Sequence, residues 1–284
     1  MPNTALEQML ERLLIRFDTH GGTPVALDWK AVRAARWSAQ TGSLKPILHP
    51  QRVALKDLLA IDAQKQRVDT NTRQFVAGKP ANNVLLTGAR GCGKSSLVKA
   101  VHAKYAPKGL RLIEVDKAGL PSLPDLFELL ADADYRFIVF IDDLSFAEHE
   151  AGYASLKAAL DGSLAGPSDN VLIYATSNRR HLMPEYMAEN LETRYLDGEV
   201  HPGEAIEEKV SLSDRFGLWV PFHVMDQDTY LAIARHWAIQ LGATTPGAPA
   251  NDAFDRAALQ WAQGRGARNG RVAWQFARDW AGKQ

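Results

Sequence analysis

One glycine-rich segment, Gly88–Ser95 with the sequence GARGCGKS, constrains the fold of this chain more than any other part of it. It follows a short apolar run typical of a buried strand and precedes a helical spacing of Leu97, Val98 and Val101. Glycines let consecutive backbone N–H groups converge on one point, where the N-terminus of the next helix adds a partial positive charge. The pattern G-x-x-x-x-G-K-[ST] between a strand and a helix therefore predicts a phosphate-binding loop.

The residue types within this loop suit a nucleoside triphosphate. Lys94 is placed to reach the β- and γ-phosphates, and the hydroxyl of Ser95 can contact Mg²⁺. Cys92 occupies a variable position of the pattern and is not expected to be catalytic. The alternative is a glycine-rich turn that only closes a strand–helix unit, and the matching context on both sides argues against it. The predicted nucleotide contacts are Gly88, Ala89, Arg90, Gly91, Cys92, Gly93, Lys94, Ser95 and Ser96.

A second apolar run, FIVFI at residues 137–141, ends in Asp142 and Asp143. Carboxylates at the carboxyl end of a parallel strand lie on the side of the sheet where ligands bind. We expect Asp142 to coordinate Mg²⁺, directly or through water, and Asp143 to orient or deprotonate an attacking water. Two acids after a strand also occur in ordinary turns, but a phosphate loop in the same chain favours the functional interpretation.

A third run, 171–176, ends in polar residues that can position water between the metal-binding acid and the γ-phosphate. Asn178 is the first choice for this role, with Ser177 and Thr176 as alternatives. An Asx-turn that ends the strand explains the same residues equally well.

Two arginine sites complete the candidate set. Arg215 stands just before the last apolar run, and a guanidinium suits the charge that develops on a transferred phosphate. A salt bridge to a neighbour such as Asp214 is the simpler explanation from the sequence alone. Arg268 and Arg271 precede the final helical stretch, where a side chain either reaches the nucleotide or faces solvent.

Five short apolar runs predict the strands of an α/β core. Because helical stretches separate the first four, we expect a parallel sheet with right-handed crossovers. The predicted strands are Asn83–Thr87, Leu110–Val115, Phe137–Ile141, Val171–Ala175 and Leu218–Phe222.

The N-terminal region has a different pattern. Apolar residues recur at helical spacing from Leu6 to Phe17, and a second short helix is expected over Trp29–Trp37 with Asp28 as its N-cap. Residues 38–50 are loop-like because they contain glycine and proline.

After the last strand the pattern is helical throughout. A helix is expected after an N-cap at Asp226 or Asp228, followed by helices near 252–263 and 271–280. The predicted domains are residues 1–50 as a helical accessory region, 51–224 as the α/β nucleotide-binding core and 225–284 as a helical lid.

Composition narrows the class of protein. The chain has 33 Lys and Arg against 33 Asp and Glu, which argues against indiscriminate binding to polyanions but leaves a local DNA site open. A single Cys excludes an intramolecular disulfide and fits a reducing cytosol. The longest apolar run is far too short to span a bilayer. We therefore expect a cytoplasmic protein without a membrane segment; the acidic stretch 185–208 is interpreted as a mobile loop or insertion.

The order of these parts resembles the AAA+ ATPases over residues 51 to 284. The resemblance is carried by the phrases NNVLLTGARGCGKSSLVKA, GLRLIEV, FIVFIDDLSF, NVLIYATSNRRHL and SLSDRFGLWVPF. These phrases are more closely similar to a bacterial AAA+ family known as a domain of unknown function.

The resemblance implies a role for each candidate residue and ATP with Mg²⁺ as ligands. Asp142 matches the metal-binding acid of Walker B, and Asn178 the first sensor. Arg215 matches the arginine finger donated to a neighbouring subunit, which implies a homo-oligomeric ring, with a hexamer favoured. Arg271, or else Arg268, matches the lid sensor. The segment 58–61, ending in Ile61, resembles the lining of the adenine pocket.

One departure concerns Asp143, where most AAA+ proteins have Glu. Asp is one methylene shorter, and initiator-like members of the superfamily also carry Asp, which fits slow hydrolysis. Three functions are open at this point: an oligomeric ATPase that remodels a protein partner, an initiator- or loader-like ATPase acting on DNA, and a nucleotide switch with little turnover. The first is favoured.

Overall fold

A computed structural model describes residues 27–51, 53–146, 151–161, 169–178, 212–245 and 252–283, with the backbone of 194–196 and 199–201. In this part of the chain, no helix combines the length and the apolarity that crossing a bilayer requires. The helix predicted between Leu6 and Phe17 lies outside the described residues.

Seven strands form one sheet, and a separate hairpin contributes two more. In the order β2-β1-β4-β5-β6-β3-β9, every neighbouring pair of the large sheet is parallel except β1 and β2. The short hairpin β7–β8 lies within the predicted acidic insertion. The strands are β1 (Ala34–Ser38), β2 (Ser43–Pro46), β3 (Val84–Thr87), β4 (Leu110–Val115), β5 (Arg136–Ile141), β6 (Val171–Ser177), β7 (Arg194–Leu196), β8 (Glu199–His201) and β9 (Leu218–Pro221).

All five predicted strands are confirmed as β3, β4, β5, β6 and β9, with ends that agree within two residues. The predicted count of five is too small, because β1 and β2 extend the sheet beyond β4. The sheet therefore begins within the region that the sequence analysis placed outside the core.

The helix predicted over Trp29–Trp37 is wrong. Asp28 begins only a single turn, in which its carbonyl accepts the backbone N–H of Val32, and the chain then becomes extended. Strand β1 pairs with β4, placing Ala34 opposite Leu112. Trp37 is buried, and its indole N–H donates to Ser122 Oγ at 2.8 Å. Pairing along an open sheet edge has outweighed the weak helical preference of this segment.

Seven α-helices lie within the described residues. They are α1 (Asp62–Val76), α2 (Lys94–Tyr105), α3 (Leu123–Ala131), α4 (Ala151–Asp161), α5 (Gln227–Gln240), α6 (Asp252–Gly264) and α7 (Gly270–Ala281).

The core has three layers because both faces of the sheet are apolar. Along β5, Phe137, Val139 and Ile141 enter one buried cluster, whereas Ile138 and Phe140 enter another. Helices α3 and α4 cover the first face, and α1 and α2 cover the second. Each fully buried side chain of this size contributes roughly 1.5–3 kcal/mol relative to an exposed one.

The C-terminal helices form a third cluster, as predicted. Helix α5 begins after Asp226, whose carboxylate accepts the backbone N–H of Thr229 at 2.8 Å. Apolar residues of α5, α6 and α7 pack together around Tyr230, Phe254 and Phe276. The domain boundaries at residues 50 and 224 stay predictions.

His102 of α2 ties this helix to the segment that leads into β1. The side chain is buried, and its Nε2 lies 2.9 Å from the carbonyl oxygen of Arg33. Burial, with smaller effects of the cations Arg111 and Arg33, lowers the pKa of His102 from 6.5 to about 4, although the contact with the Arg33 backbone opposes the shift. The neutral ring is therefore the form that the folded state holds.

We predict that His102 makes the free energy of unfolding depend on pH. As pH falls, His102 takes up a proton in the unfolded chain before it does so in the folded one. Its contribution to the free energy of unfolding is therefore complete above about pH 6.5 and is lost as pH falls towards 4. Between pH 7 and pH 4.5, the difference in unfolding free energy between wild type and His102→Gln should change by about 2 kcal/mol. Urea denaturation at both pH values measures it, and a pH-independent difference would contradict the prediction.

Candidate functional site

The carboxyl ends of three parallel strands bring the predicted site together. Strand β6 lies between β5 and β3, with Ala175 opposite Ile141 and Thr176 opposite Leu86. The residues that follow these strands therefore meet at one edge of the sheet. Asp142, the end of β6 and the glycine-rich loop lie side by side, as the sequence predicts.

Lys94 lies at the centre of the loop, with its side chain pointing back into the loop. It is only 6% exposed, and its Nζ donates to the carbonyl oxygens of Gly88 at 2.6 Å and Ala89 at 2.8 Å. A third bond goes to Asn178 Oδ1 at 3.0 Å. A buried ammonium whose partners are neutral carbonyls provides uncompensated positive charge for an anion at this position.

Ser95 and Asp142 provide a pair of oxygen donors beside Lys94. The hydroxyl of Ser95 donates to Asp142 Oδ1 at 2.6 Å. Thr176 Oγ1 donates to the same carboxylate oxygen, also at 2.6 Å. A hydroxyl and a carboxylate in contact fit Mg²⁺, which takes few protein ligands and completes its shell with water and phosphate oxygens.

Asp143 is held from several sides although its side chain is 55% exposed. Asn178 Nδ2 donates to its carboxylate, and the Arg90 guanidinium lies 3.6 Å from Oδ2. The backbone N–H of Asp143 donates to Thr176 Oγ1 at 3.0 Å. Its φ of +55° is unusual for a residue with a side chain, and such conformations cluster at functional sites.

Asn178 therefore connects the lysine of the glycine-rich loop to the second acid after β5. Its amide oxygen accepts from Lys94, and its amide nitrogen donates to Asp143. The side chain of Asn178 thus bonds two residues that are distant in the sequence, whereas the Asx-turn that the sequence left as an equal alternative would need only bonds to neighbouring backbone. Thr176 Oγ1 contacts Asp142 instead, so Asn178 and Thr176 contact different groups.

The lid contacts the glycine-rich loop directly at Gly91. The backbone N–H of Gly270 donates to the Gly91 carbonyl oxygen at 3.0 Å. A Cβ added at Gly91 would lie 2.5 Å from Asn269 Oδ1, which also accepts the backbone N–H of Val272 at 3.0 Å. Nothing in the local sequence indicates this contact, because the partners lie about 180 residues apart.

The two arginines predicted as candidates for the lid sensor lie beside this contact without reaching the loop. Arg271 is exposed in the first turn of α7, next to Gly270. Arg268 is also exposed, and its Nη1 lies 3.4 Å from Gln227 Oε1. The assignment of either as the lid sensor stays a prediction.

The predicted adenine-pocket segment lies between the loop and the lid. Ile61 is buried, and its Cδ1 would lie 3.6 Å from a Cβ at Gly93. Leu59 packs against the lid cluster, and Asp57 Oδ1 lies 3.4 Å from Nε2 of the lid residue His236. A ligand beside Ile61 would therefore be close to both parts of the protein.

Arg215 does not take part in the hydrogen bonds described above around Lys94 and Asp142. Its guanidinium pairs with Asp161 at the end of α4, rather than with Asp214 as the sequence suggested. Leu212, Ser213 and Phe216 around it are buried. The role of Arg215 towards a neighbouring subunit stays a prediction.

Cys92 is buried in the loop, with its Sγ 3.7 Å from Lys94 Nζ. Burial raises the pKa of its thiol, although the neighbouring ammonium opposes the shift. A protonated, buried thiol is a poor nucleophile, which agrees with the small, non-catalytic role expected for it.

The sheet order, the loop and the three-helix lid define a P-loop protein with the AAA+ fold. The chain belongs to the family described as "Protein of unknown function (DUF815)", which matches residues 30–284. No curated protein matches it in sequence.

The fold is similar to that of RuvB from Thermotoga maritima. Two solved RuvB mutants, a lysine-to-arginine and a threonine-to-valine substitution, are each 14% identical, with a TM-score of 0.50. A structure of the same protein, described as a Holliday junction branch migration motor, is 16% identical with a TM-score of 0.48. Each match covers 79% of this chain but only 63% of the RuvB chain.

We predict that Gly91→Ala separates the lid from the loop. Gly91 and Gly242 have φ values of +78° and +74°, so Ala strains the backbone similarly at both, but only Gly91 has lid atoms in the space of a Cβ. Hydrogen exchange in the first turn of α7 should rise at least about tenfold in Gly91→Ala and stay unchanged in Gly242→Ala. Equal exchange in the two variants would show that the contact is dispensable.

Proposed function

We propose that this protein binds and hydrolyses MgATP at an interface between subunits and uses the movement of its lid to remodel or move a protein partner. The observation that supports this most is the meeting of Lys94, Ser95 and Asp142 at the carboxyl end of the sheet, where β6 lies between β3 and β5. A buried ammonium beside a hydroxyl–carboxylate pair suits a triphosphate with its metal ion.

Each residue of the site has its own role in the proposed reaction. Lys94 would bind the β- and γ-phosphates, and Ser95 and Asp142 would hold Mg²⁺. When bound, the ion neutralises negative charge on the phosphate oxygens. Asp143 would accept a proton from the attacking water, with Asn178 fixing the position of its carboxylate.

Binding would be completed by groups around the loop. The backbone N–H groups of the loop and of the start of α2 would cradle the phosphates, and Ile61 would contact the base. Arg271 or Arg268 would sense the bound nucleotide and couple its presence to the position of the lid. Because the backbone of Gly270 already contacts Gly91, a change in the loop can shift the lid without an intermediary.

Arg215 would act on the nucleotide of a neighbouring subunit. In its own chain it pairs with Asp161 at the end of α4. A guanidinium supplied in trans is suited to stabilising charge on the transferred phosphate. This role would make the active form an oligomer, for which we propose a ring, most simply a hexamer.

Two other functions have some support. Five arginines are exposed on the lid, which favours a DNA-acting ATPase and would give salt-sensitive DNA binding; they are Arg256, Arg265, Arg268, Arg271 and Arg278. The bonds that hold Asp143 to Asn178 and Arg90 favour a slow switch, because the base must give up a partner to reach water.

We predict that Lys94→Ala abolishes turnover and weakens MgATP binding by about 10- to 100-fold, since it removes a charge-assisted contact to phosphate. Lys104→Ala is the matched control, because Lys104 lies on the same helix and pairs with Asp69 at the surface. Phosphate release and binding of a fluorescent ATP analogue measure the two effects. Undiminished turnover in Lys94→Ala would rule out the assignment.

We predict that turnover per subunit rises steeply with protein concentration and that Arg215→Ala abolishes it while leaving ATP binding intact. Arg36→Ala is the control, because it breaks another ion pair, between Arg36 of β1 and Glu114 of β4. Mixing inactive Arg215→Ala with inactive Lys94→Ala should restore part of the activity, since a mixed oligomer contains some complete sites. Turnover that is independent of concentration, with no recovery on mixing, would exclude catalysis in trans.

A further inference from the structure

We propose that Thr176 is a positioning residue that holds the Asp142 carboxylate in the orientation in which it serves Mg²⁺. This inference rests on the proposed function and deepens it. It assigns Thr176 to the metal-binding acid, whereas the sequence suggested it only as an alternative to Asn178 for positioning water.

The hydrogen bonds of Thr176 have only one possible direction. A hydroxyl has a single proton to donate, and a carboxylate can only accept. The proton of Thr176 Oγ1 therefore goes to Asp142 Oδ1, at 2.6 Å. The backbone N–H of Asp143 can only donate, and it donates to a lone pair of the same Oγ1 at 3.0 Å. Thr176 thus fixes the side chain of one acid and the backbone of the next.

Burial makes these bonds difficult to replace. Thr176 is 1% exposed, so water has little access to the side-chain positions that its hydroxyl serves. Its backbone carbonyl also accepts the N–H of Leu144 at 2.7 Å, which holds the chain beyond the two acids against β6. Removing the hydroxyl would leave a buried N–H without its acceptor and allow Asp142 to rotate.

The second hydroxyl at Asp142 explains why its orientation matters. Ser95 donates its proton to the same Oδ1 at 2.6 Å, which leaves the lone pairs of Ser95 available to a cation. Thr176 approaches that oxygen from β6, whereas Ser95 approaches it from α2. The carboxylate is held between the two hydroxyls, so the metal-binding groups are set before the ion arrives.

The test compares three substitutions for their effect on Mg²⁺ dependence. Thr176→Val keeps the shape and removes the hydroxyl, and Thr176→Ser keeps the hydroxyl. Thr72→Val makes the same change at a buried threonine of α1, where Oγ1 bonds Val68 O and the Tyr174 hydroxyl, away from the site. It therefore controls for the loss of any buried hydroxyl.

We expect the Mg²⁺ concentration for half-maximal ATP turnover to rise about tenfold in Thr176→Val, the scale of one buried hydrogen bond. Thr176→Ser should stay within about twofold of wild type, and Thr72→Val should lose thermal stability without a shift in Mg²⁺ dependence. Binding of the fluorescent ATP analogue without Mg²⁺ should be the same in all four proteins. If Thr176→Val does not fold, Thr176→Ala takes its place.

Two results would overturn the inference alone. One is wild-type Mg²⁺ dependence in Thr176→Val, and the other is the same increase in Thr176→Ser, because then the hydroxyl is not the cause. In both cases wild-type turnover still supports the proposed function. Wild-type protein with neither Mg²⁺-dependent turnover nor nucleotide binding would overturn the proposed function and this inference with it.

Discussion

The position of β6 between β3 and β5 determines the arrangement of the site. Parallel pairing aligns the carboxyl ends of the three strands, so each contributes its next residues to the same place. Strand β3 leads into the glycine-rich loop, β5 into the two acids, and β6 supplies Thr176 and Asn178 between them. Without the central strand, Lys94 and Asp143 would have no common partner.

The lid belongs to the same site because it contacts the loop through its backbone. The bond from Gly270 to Gly91 needs no long side chain, so the loop cannot change shape there without affecting α7. The segment before α1 makes a second connection, with Leu59 packed in the lid cluster and Ile61 beside the loop. Coupling between the nucleotide that we propose and the lid would therefore require only neighbouring contacts.

The sequence was sufficient to predict the central strands and the groups at their ends. Strands buried on both faces are continuous apolar runs, and the loop has a fixed spacing that few other structures require. It did not predict β1, because Ala34–Ser38 contains alanines and an arginine and is extended through its pairing with β4 on one side and β2 on the other. The local preference of this segment for the extended conformation is weak, and pairing with the neighbouring strands decides its structure.

Side-chain partners were the least predictable feature, because they depend on tertiary approach rather than on sequence distance. Arg215 pairs with Asp161, 54 residues away, and not with the adjacent Asp214. That pair also bears on the catalysis in trans that we propose, which would require Arg215 to exchange Asp161 for phosphate. The Asp161 side chain is 46% exposed and that of Arg215 is 23% exposed, and such pairs contribute about 0–1 kcal/mol. In the proposed reaction, a phosphate whose negative charge increases during transfer would be a stronger partner for Arg215 than Asp161, so the ion pair with Asp161 would orient the guanidinium without preventing its release.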